Sequence, residues 1–344
     1  MKIVFVSRLY LPHLGGVEVH LKEIAAILVR LGHEVTIVTW QHEKKLSMTA
    51  QYNGVQVFRI PFTATHSKQQ TWAAITEYAQ LFESADVVHV HDVFWWILPV
   101  YTKIKNKVFT TFHGWETKLP IPVNAKIHRF LANKLSRGTI HVGEFIQKFY
   151  WDKPNLLTYG GINLKRFTRS NSPQLKISKN KLQFVFVGRL DPDTDVSVYI
   201  EFLKELKTKN IDYSIVWVGD GSLREQCKLY GPVTGFVKNI SQYITMADFV
   251  FASSYLSILE ALCLGKLVLS FYSNPVKKKY LETFPGSQFL LIAGSVIAMQ
   301  HKLEHLLTNR KLLSQMQLEA KAFAQKQTWE RVVGKYLQLW KQRR

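Results

Sequence analysis

The sequence predicts an α/β protein made of two doubly wound domains. Its 344 residues are more than one hydrophobic core usually serves, so two domains of ordinary size are expected. Short β-branched runs alternate with helical stretches along the chain, as in parallel sheets covered by helices on both faces. This alternation lapses in a Ser-, Asn-, Pro- and Lys-rich stretch at residues 163–181, which separates two series of elements.

The first series begins with a βαβ unit. Residues 3–6 and 35–39 are β-branched runs typical of strands. Between them, apolar residues recur at helical spacing: Val17, Leu21, Ile24, Leu28 and Leu31. Gly32 closes this helix, and further strands are predicted at residues 55–60, 87–91 and 108–112. These elements predict an N-terminal Rossmann-like domain over residues 1–162.

The second series predicts a C-terminal domain over residues 182–320, with strands at residues 183–187, 213–218, 249–252, 267–270 and 288–292. Residues 163–181 hold six basic residues and no acidic one, and we interpret them as a basic linker. The chain reads as helical from residue 296 through 340. Its last helix, residues 321–344, is a candidate to pack back on the N-terminal domain.

Composition limits the function classes. A formal net charge of +20 predicts an anionic partner: a phosphate compound, an anionic lipid or nucleic acid. Two cysteines, Cys227 and Cys263, predict neither a disulfide framework nor a zinc site, which fits a reducing compartment. The longest apolar run, residues 93–101, is about half the ~20 residues that a membrane-spanning helix needs. We therefore expect a cytoplasmic protein, with peripheral attachment to the inner face of the membrane as an option.

The positive charge of the first domain is concentrated in its last third. Residues 1–102 hold eight basic and eight acidic side chains, whereas residues 103–153 hold ten and three. This predicts a basic amphipathic helix around Ile127, Phe130 and Leu131. We predict a basic patch here that would contact an anionic membrane or the acceptor; it comprises Lys118, Lys126, Arg129, Lys134 and Arg137. The alternative is that the three apolar side chains pack on the sheet while the cations are solvated.

Two loops of the first domain lie at strand ends, where open α/β sheets place their ligands. Gly15 and Gly16 join the first strand to the first helix, so bare backbone there can approach an anion at the helix N-terminus. A tight turn is the simpler reading of this pair. His113 follows the strand at residues 108–112, and it could bond a sugar or phosphate oxygen or simply be satisfied by backbone.

The second domain repeats this arrangement. Gly188 and Arg189 end one strand with a guanidinium that fits two phosphate oxygens. Gly219, Asp220 and Gly221 end the next strand with a glycine turn. Glu260 lies in an apolar helical segment, where an unpaired carboxylate is costly, so we expect a partner such as ribose hydroxyls; a solvated helix face is the alternative.

Seven segments in this order resemble retaining glycosyltransferase family four over essentially the whole chain. They are Gly15-Gly16-Val17-Glu18, Leu31-Gly32-His33-Glu34-Val35, His113-Gly114-Trp115-Glu116, Gly161-Ile162-Asn163, Phe186-Val187-Gly188-Arg189-Leu190, Val218-Gly219-Asp220-Gly221, and Glu260-Ala261 with Gly265-Lys266. The resemblance implies the GT-B architecture: two Rossmann-like domains facing across a cleft, with the nucleotide-sugar donor on the C-terminal one and the acceptor on the N-terminal one.

The resemblance also implies roles. Arg189 would contact the donor diphosphate, Glu260 would hold the ribose, and His113 would lie near the transferred sugar. His113 and Arg189 are thus the predicted catalytic residues. The predicted donor-binding set is Gly15, Gly16, Gly188, Arg189, Gly219, Asp220, Gly221, Ser254, Tyr255, Leu256 and Glu260.

The chain departs from the family pattern at two places. Thr194 and Asp195 stand where the family usually has a lysine and a glycine that clamp a second phosphate. Ala252 stands where the first glutamate of the E-x-seven-E motif is expected, so the usual grip on the sugar ring is absent. Donor handling is expected to be altered or partly lost.

Alternate acids at Asp191, Asp193 and Asp195 could chelate a divalent cation beside a diphosphate. Pro192 and the strand-end position favour a turn whose acids cap the following helix. We therefore predict no metal and no other cofactor.

The leading hypothesis is a hexosyltransferase-type glycosyltransferase. It would move a sugar from a nucleotide diphosphate sugar to a hydroxyl of a glycan or lipid-linked acceptor, with retention. One alternative is a degraded GT-B relative that binds a carbohydrate or lipid phosphate, and another is a sugar-nucleotide epimerase. Nucleic acid is an unlikely partner, because only the net charge supports it and no RNA-binding or helix-turn-helix signature is present.

Overall fold

Two compact units make up the chain in a computed structural model that describes residues 1–62, 67–116, 118–167 and 181–341. The first unit comprises residues 1–160 and the last helix, and the second comprises residues 161–328. Most of the basic linker expected at residues 163–181 lies outside the described residues, since these resume only at residue 181.

The first unit is built on an eight-stranded sheet. Its strands are β1 (Lys2–Ser7), β2 (Glu34–Trp40), β3 (Thr49–Tyr52), β4 (Val55–Ile60), β5 (Val87–His91), β6 (Val108–Phe112), β7 (Gly138–Val142) and β8 (Leu156–Thr158). Their order is β3-β4-β2-β1-β5-β6-β7-β8. The β3–β4 pair is antiparallel and the other pairs are parallel. The five strands predicted for this domain are confirmed.

The helices of this sequence region are α1 (Gly16–Arg30), α2 (Lys68–Glu77), α3 (Ala79–Ser84), α4 (Leu98–Ile104), α5 (Val123–Leu135) and α6 (Phe145–Phe149). Three strands escaped prediction. β3 alternates half-buried and exposed residues, β8 has only three residues, and β7 carries Gly, Thr and His among its apolar residues, so none shows a continuous apolar run.

The second unit has a five-stranded, wholly parallel sheet in the order β10-β9-β11-β12-β13. The strands are β9 (Leu182–Val187), β10 (Tyr213–Val218), β11 (Phe249–Phe251), β12 (Leu267–Phe271) and β13 (Leu290–Ala293). The helices are α7 (Leu164–Phe167), α8 (Val196–Thr208), α9 (Arg224–Lys228), α10 (Ser241–Met246), α11 (Tyr255–Cys263), α12 (Pro275–Glu282), α13 (Val296–Thr308) and α14 (Arg310–Gln325). All five predicted strands are present. The last begins two residues late, because Ser287–Phe289 forms a short 3₁₀ turn first.

The helical stretch expected from residue 296 onward is divided into α13, α14 and α15 (Trp329–Lys341). α15 belongs to the first unit, where it packs on α1, β7 and β8. Its buried residues recur at helical spacing: Trp329, Val332, Val333, Tyr336, Leu339 and Trp340. No helix of the described residues combines the length and apolarity required to span a bilayer.

Candidate active site

In the first unit, β1, β5 and β6 are neighbours in the sheet, so the loops that follow them start at one edge. His113 comes directly after β6. Its backbone N–H donates to Oδ1 of Asp92, the residue after β5, at 2.9 Å. Asp92 adopts a left-handed conformation (φ 63°), which turns the chain sharply at the end of the strand. The strand-end position predicted for His113 from the sequence is confirmed.

The imidazole of His113 is a neutral hydrogen-bonding group. Its Nε2 lies 2.8 Å from Nδ1 of His91, the last residue of β5. Burial and the nearby Arg129 guanidinium lower the pKa of His113 to about 3, so the ring carries no charge at neutral pH. With Nε2 facing His91, Nδ1 is the ring nitrogen that remains to meet a ligand.

Behind His113 lies a buried polar network that sequence reasoning missed. The indole N–H of Trp340 donates to Nδ1 of His89 at 2.9 Å. Because indole is a donor only, neutral His89 must carry its proton on Nε2, which donates to Thr111 at 2.7 Å. Tyr336 of α15 then joins Thr111 (3.0 Å) to Nε2 of His20 (2.9 Å). Burial first, and other histidines second, lower the pKa values of His20 and His89 well below normal.

The turn before α1 is already occupied by a carboxylate. Gly15 is the N-cap of this helix, and a Cβ on Gly15 would collide with the carboxyl group of Glu18, whereas Gly16 faces open space. Glu18 is buried and pairs with Nδ1 of His13 at 3.1 Å. Burial raises its pKa, against the opposing effects of a backbone N–H and of His13. The carboxyl group of Glu18 therefore fills part of the space at the N-terminus of α1 where the sequence predicted an anionic ligand.

One member of the predicted basic patch points inward, and its inclusion was wrong. Arg129 on α5 is buried, with its guanidinium 3.9 Å from the centre of the Tyr150 ring. It donates to the backbone oxygen of Gly114 at 2.7 Å and lies 3.6 Å from the Glu116 carboxylate. A buried guanidinium needs such partners, so Arg129 fastens α5 to the His113 loop and does not face solvent.

The opposite side of α5 is exposed and apolar. Its large apolar residues recur every four positions: Val123 (59% exposed), Ile127 (43%), Leu131 (41%) and Leu135 (37%). Ile127 and Leu131 therefore do not pack on the sheet, while Phe130 is half-buried. Lys118 and Lys134 are exposed and Lys126 is half-buried, whereas Arg137 donates to the backbone oxygen of Asn106 at 3.0 Å.

In the second unit, the loops after β9 and β10 are held together by backbone. Gly188 N–H donates to Val218 at 3.1 Å and Leu190 N–H to Asp220 at 2.9 Å. A Cβ on Gly219 would overlap the backbone oxygen of Gly188, and one on Gly221 would meet that of Leu190. These glycines permit close packing of two strand-end loops.

Arg189 projects from this pair of loops with its side chain about half exposed (51%). Its Nη1 lies 3.1 Å from Asp191 and its Nη2 2.5 Å from Asp193. Asp191 also accepts from the backbone N–H of Ser222 at 2.8 Å. That hydrogen bond, more than Arg189, lowers the pKa of Asp191.

The predicted acidic turn exists, with residues 192–194 in a 3₁₀ turn, but the expected helix capping is absent. Asp195 is the N-cap residue of α8 and makes no side-chain capping bond. The reason is that its carboxyl group is buried and bonds Ser273 instead. No cluster of three potential metal ligands occurs within the described part of the chain, and absence of a metal stays a prediction.

Asp220 and α11 hold the remaining predicted residues. Asp220 pairs with Arg224 at 2.8 Å, which lowers its pKa. Ser254 is the N-cap of α11, and its hydroxyl lies 2.7 Å from that of Ser257. Leu256 and Glu260 are half-buried on the same helix.

The ring of Tyr255 packs against another aromatic ring. It stacks on Tyr280 with the ring centres 3.8 Å apart and is only 3% exposed. Its backbone N–H also donates to the Tyr280 hydroxyl at 2.7 Å. The stack and this hydrogen bond engage the ring and the backbone N–H of Tyr255, and its donor-binding role stays a prediction.

The two units, each with a mainly parallel sheet and polar strand-end loops, define a two-domain protein of the doubly wound α/β class. Residues 14–152 match the family described as Glycosyltransferase Family 4, and residues 167–323 match that described as Glycosyl transferases group 1. The chain belongs to the GT-B glycosyltransferases of this group 1 type.

Individual relatives agree with this family. The GPI3 subunit of phosphatidylinositol N-acetylglucosaminyltransferase of Saccharomyces cerevisiae is 24% identical over 64% of this chain and 53% of its own length. An uncharacterized glycosyltransferase of Methanocaldococcus jannaschii is 35% identical over 65% of this chain and 64% of its own. The chain thus spans about half the length of the first of these relatives.

A solved structure shows the same fold. The Anabaena protein HepE in complex with UDP and glucose superposes with a TM-score of 0.71 at 16% identity, covering 98% of each chain.

Proposed function

We propose that this glycosyltransferase moves a sugar from a nucleotide diphosphate sugar to a hydroxyl of a glycan or lipid-linked acceptor, with retention. The main support for a nucleotide-sugar donor is the position of Arg189. Its half-exposed guanidinium lies where the loops after β9 and β10 are hydrogen-bonded to each other. A planar cation at this edge of a parallel sheet suits a diphosphate. The solved relative with bound UDP and glucose supports the same donor class.

On the donor side, negative charge builds on the departing diphosphate, and stabilising that charge is the main electrostatic demand of the reaction. Arg189 would meet it by exchanging Asp191 and Asp193 for phosphate oxygens. Glu260, half-buried on α11, would hold the ribose hydroxyls. The sequence offers no evident protein nucleophile.

On the sugar side, His113 would offer a neutral imidazole. An uncharged ring with Nδ1 free to bond a hydroxyl contributes position and polarity without competing for the diphosphate. Its partner His91 holds the ring in place through Nε2. We propose that His113 contacts the transferred sugar in this way.

A thermal-shift panel tests the donor class. UDP, GDP, ADP and dTDP, each with and without a sugar, are added to the full chain, and release of nucleoside diphosphate is then measured with glycan, lipid or water as acceptor. Stabilisation by one nucleotide and its release from the matching sugar nucleotide are expected. Binding without turnover would favour the alternative of a carbohydrate- or phosphate-binding relative. The presence of Ala252 in place of the family's glutamate supports that alternative. Reversible isomerisation of the sugar would favour an epimerase.

We further propose that the exposed side of α5 meets an anionic membrane. The apolar stripe of Val123, Ile127 and Leu131 lies beside Lys126 and Lys134, a pairing typical of helices that lie in the interface. The name of the yeast relative specifies a phosphatidylinositol acceptor for that protein, which supports a lipid-linked acceptor here. Arg129 fastens this helix to the His113 loop, so docking would bring His113 near the lipid surface.

A further inference from the structure

The family pattern places a phosphate-binding lysine and a glycine shortly after the arginine, and this chain has Thr194 and Asp195 there instead. A lysine from a distant part of the sequence lies close to the same loop. Lys277 is in the first turn of α12, where its backbone N–H donates to Oδ1 of the N-cap residue Asn274 at 2.8 Å. Its side chain is only 6% exposed.

The ammonium group of Lys277 is incompletely satisfied for a buried cation. Nζ donates to the backbone oxygen of Ser253 and lies 4.8 Å from the centre of the Tyr280 ring. Among the hydrogen bonds of the described residues, Ser253 is its one acceptor, although an ammonium has three N–H donors. Burying a cation is costly unless it is paired, so an anionic partner is expected.

The charges around Lys277 belong to the candidate donor site. Burial, and to a smaller extent Arg189, lower the pKa of Lys277 to about 8, while Asp195 and Asp193 oppose that shift. Asp195 is itself buried, and its Oδ2 has no hydrogen-bond partner in the described chain. Asp195 thus balances the ammonium electrostatically without a direct ion pair.

Ser253, whose backbone oxygen accepts the hydrogen bond from Lys277, also borders the candidate nucleotide-sugar site. Ser253 immediately precedes Ser254, the N-cap of α11, and α11 carries Glu260. Lys277 therefore faces two elements at once: the loop with Arg189 and the start of the helix with Glu260. A diphosphate bound by Arg189 and a ribose bound by Glu260 would place phosphate oxygens in this region.

We propose that Lys277 is the second cation of the donor site and binds a phosphate of the nucleotide diphosphate sugar. It would replace, from α12, the lysine for which Thr194 stands in the loop after β9. Its remaining N–H donors meet the phosphate, while Ser253 keeps the side chain aligned. This inference rests on the proposed donor class and adds a residue to it.

Calorimetric titration tests the proposal with UDP, uridine and inorganic pyrophosphate as probes of the full chain. Lys277→Met should weaken UDP and pyrophosphate by about 10- to 100-fold and uridine by less than about 3-fold. Lys278→Met is the matched control, because Lys278 is exposed and pairs with Glu282 at 3.7 Å. Lys277→Arg, which keeps the charge, should retain more diphosphate affinity than Lys277→Met.

The wild-type chain supplies a readout that needs no variant. Its affinity for UDP, whose phosphates lose their last proton near pH 6, should fall as pH rises above about 8, the pKa of Lys277. The groups facing this ammonium are Asp193, Asp195, Arg189 and Tyr280, which are residue types that ordinarily titrate outside the range of pH 7 to 9. An affinity that stays flat across this range would overturn the proposal, even if Lys277→Met fails to fold.

Other outcomes separate this proposal from the donor class itself. If the wild type binds UDP, Arg189→Ala weakens it and Lys277→Met does not, Lys277 is only structural and the inference is wrong. If the wild type binds neither UDP nor pyrophosphate nor any nucleotide of the panel, the donor class fails and Lys277 fails with it.

Discussion

The two units carry polar groups of opposite character at their strand ends. In the first unit, His20, His89, His91 and His113 form a buried group of uncharged rings around hydroxyl and indole partners. In the second, Arg189, Asp191 and Asp193 are ionised, and Lys277 lies near them. Neutral donors and acceptors suit sugar hydroxyls, while fixed charges suit a diphosphate. The contrast gives the strand ends of the two units different electrostatic character: uncharged donors and acceptors in the first, and charged side chains in the second.

The largest expected effect is a selective loss of stability of the first unit in acid. Burial lowers the pKa values of these four histidines, so the unfolded chain binds more protons below its ordinary histidine pKa of about 6.5. Stability is therefore lost as pH falls. Each histidine should contribute on the order of 1 kcal/mol to this loss between pH 7 and 5.5. The raised pKa of Glu18 works in the opposite direction and reduces the total.

Hydrogen exchange followed by mass spectrometry measures this unit by unit. Peptides from β1, β5 and β6 should exchange faster at pH 5.5 after correction for intrinsic rates, and peptides from β9, β11 and β12 should not. The second unit is the internal control, since its two histidines, His301 and His305, are exposed. Equal loss of protection in both units would contradict the neutral-network interpretation.

Removal of the His113 ring should act on transfer and spare the nucleotide. His113→Ala is expected to lower turnover by more than about 100-fold, the usual cost of deleting one positioned polar group, with nucleotide affinity changed less than about 2-fold. Release of nucleoside diphosphate and calorimetry measure the two effects. His128→Ala removes an exposed imidazole of the same unit as a control. Wild-type turnover by His113→Ala would rule out its proposed contact with the sugar.

Arg189→Ala should weaken binding of the diphosphate to the second unit. We expect diphosphate affinity to fall by about 10- to 100-fold, because a charge-assisted hydrogen bond contributes about 1.5–3 kcal/mol, with nucleoside affinity nearly unchanged. The substitution also removes the cation that pairs with Asp191 and Asp193, so their negative charge would repel the ligand. Arg310→Ala, at an exposed position of α14 in the same unit, is the control. Equal diphosphate binding by wild type and Arg189→Ala would remove Arg189 from the donor site.

The smallest expected effect concerns lipid charge. Each lysine near an anionic surface contributes about 1 kcal/mol, so Lys126→Ser or Lys134→Ser should each lower binding to anionic vesicles about fivefold at low salt. Flotation with anionic and neutral liposomes measures it. Lys204→Ser and Lys207→Ser, exposed on α8 of the second unit, are controls. Binding that ignores lipid charge, or that survives loss of both α5 lysines, would exclude α5 as the docking surface.

The strands with continuous apolar runs and the glycine turns were predictable because their causes are local. A buried parallel strand needs a continuous apolar run, and the close approach of Gly219 to Gly188 needs a residue without a side chain. The inward turn of Arg129 was not predictable, because it depends on Tyr150 and Gly114 from other elements. Lys277 was missed for the same reason: 82 positions separate it from Asp195, and only the fold brings their charges together.

Return of α15 to the first unit has a consequence for synthesis. Trp340 and Tyr336, which complete the network around His89, are translated only after the whole second unit, residues 161–328. Synthesis proceeds at about 5–20 residues per second, so roughly 10–30 s pass between synthesis of the eight-stranded sheet and synthesis of the helix that covers its histidines. The second unit, continuous in sequence, has no such delay. In a nascent chain the second unit, with its charged strand-end residues, would thus be complete before the first unit, with its neutral histidines.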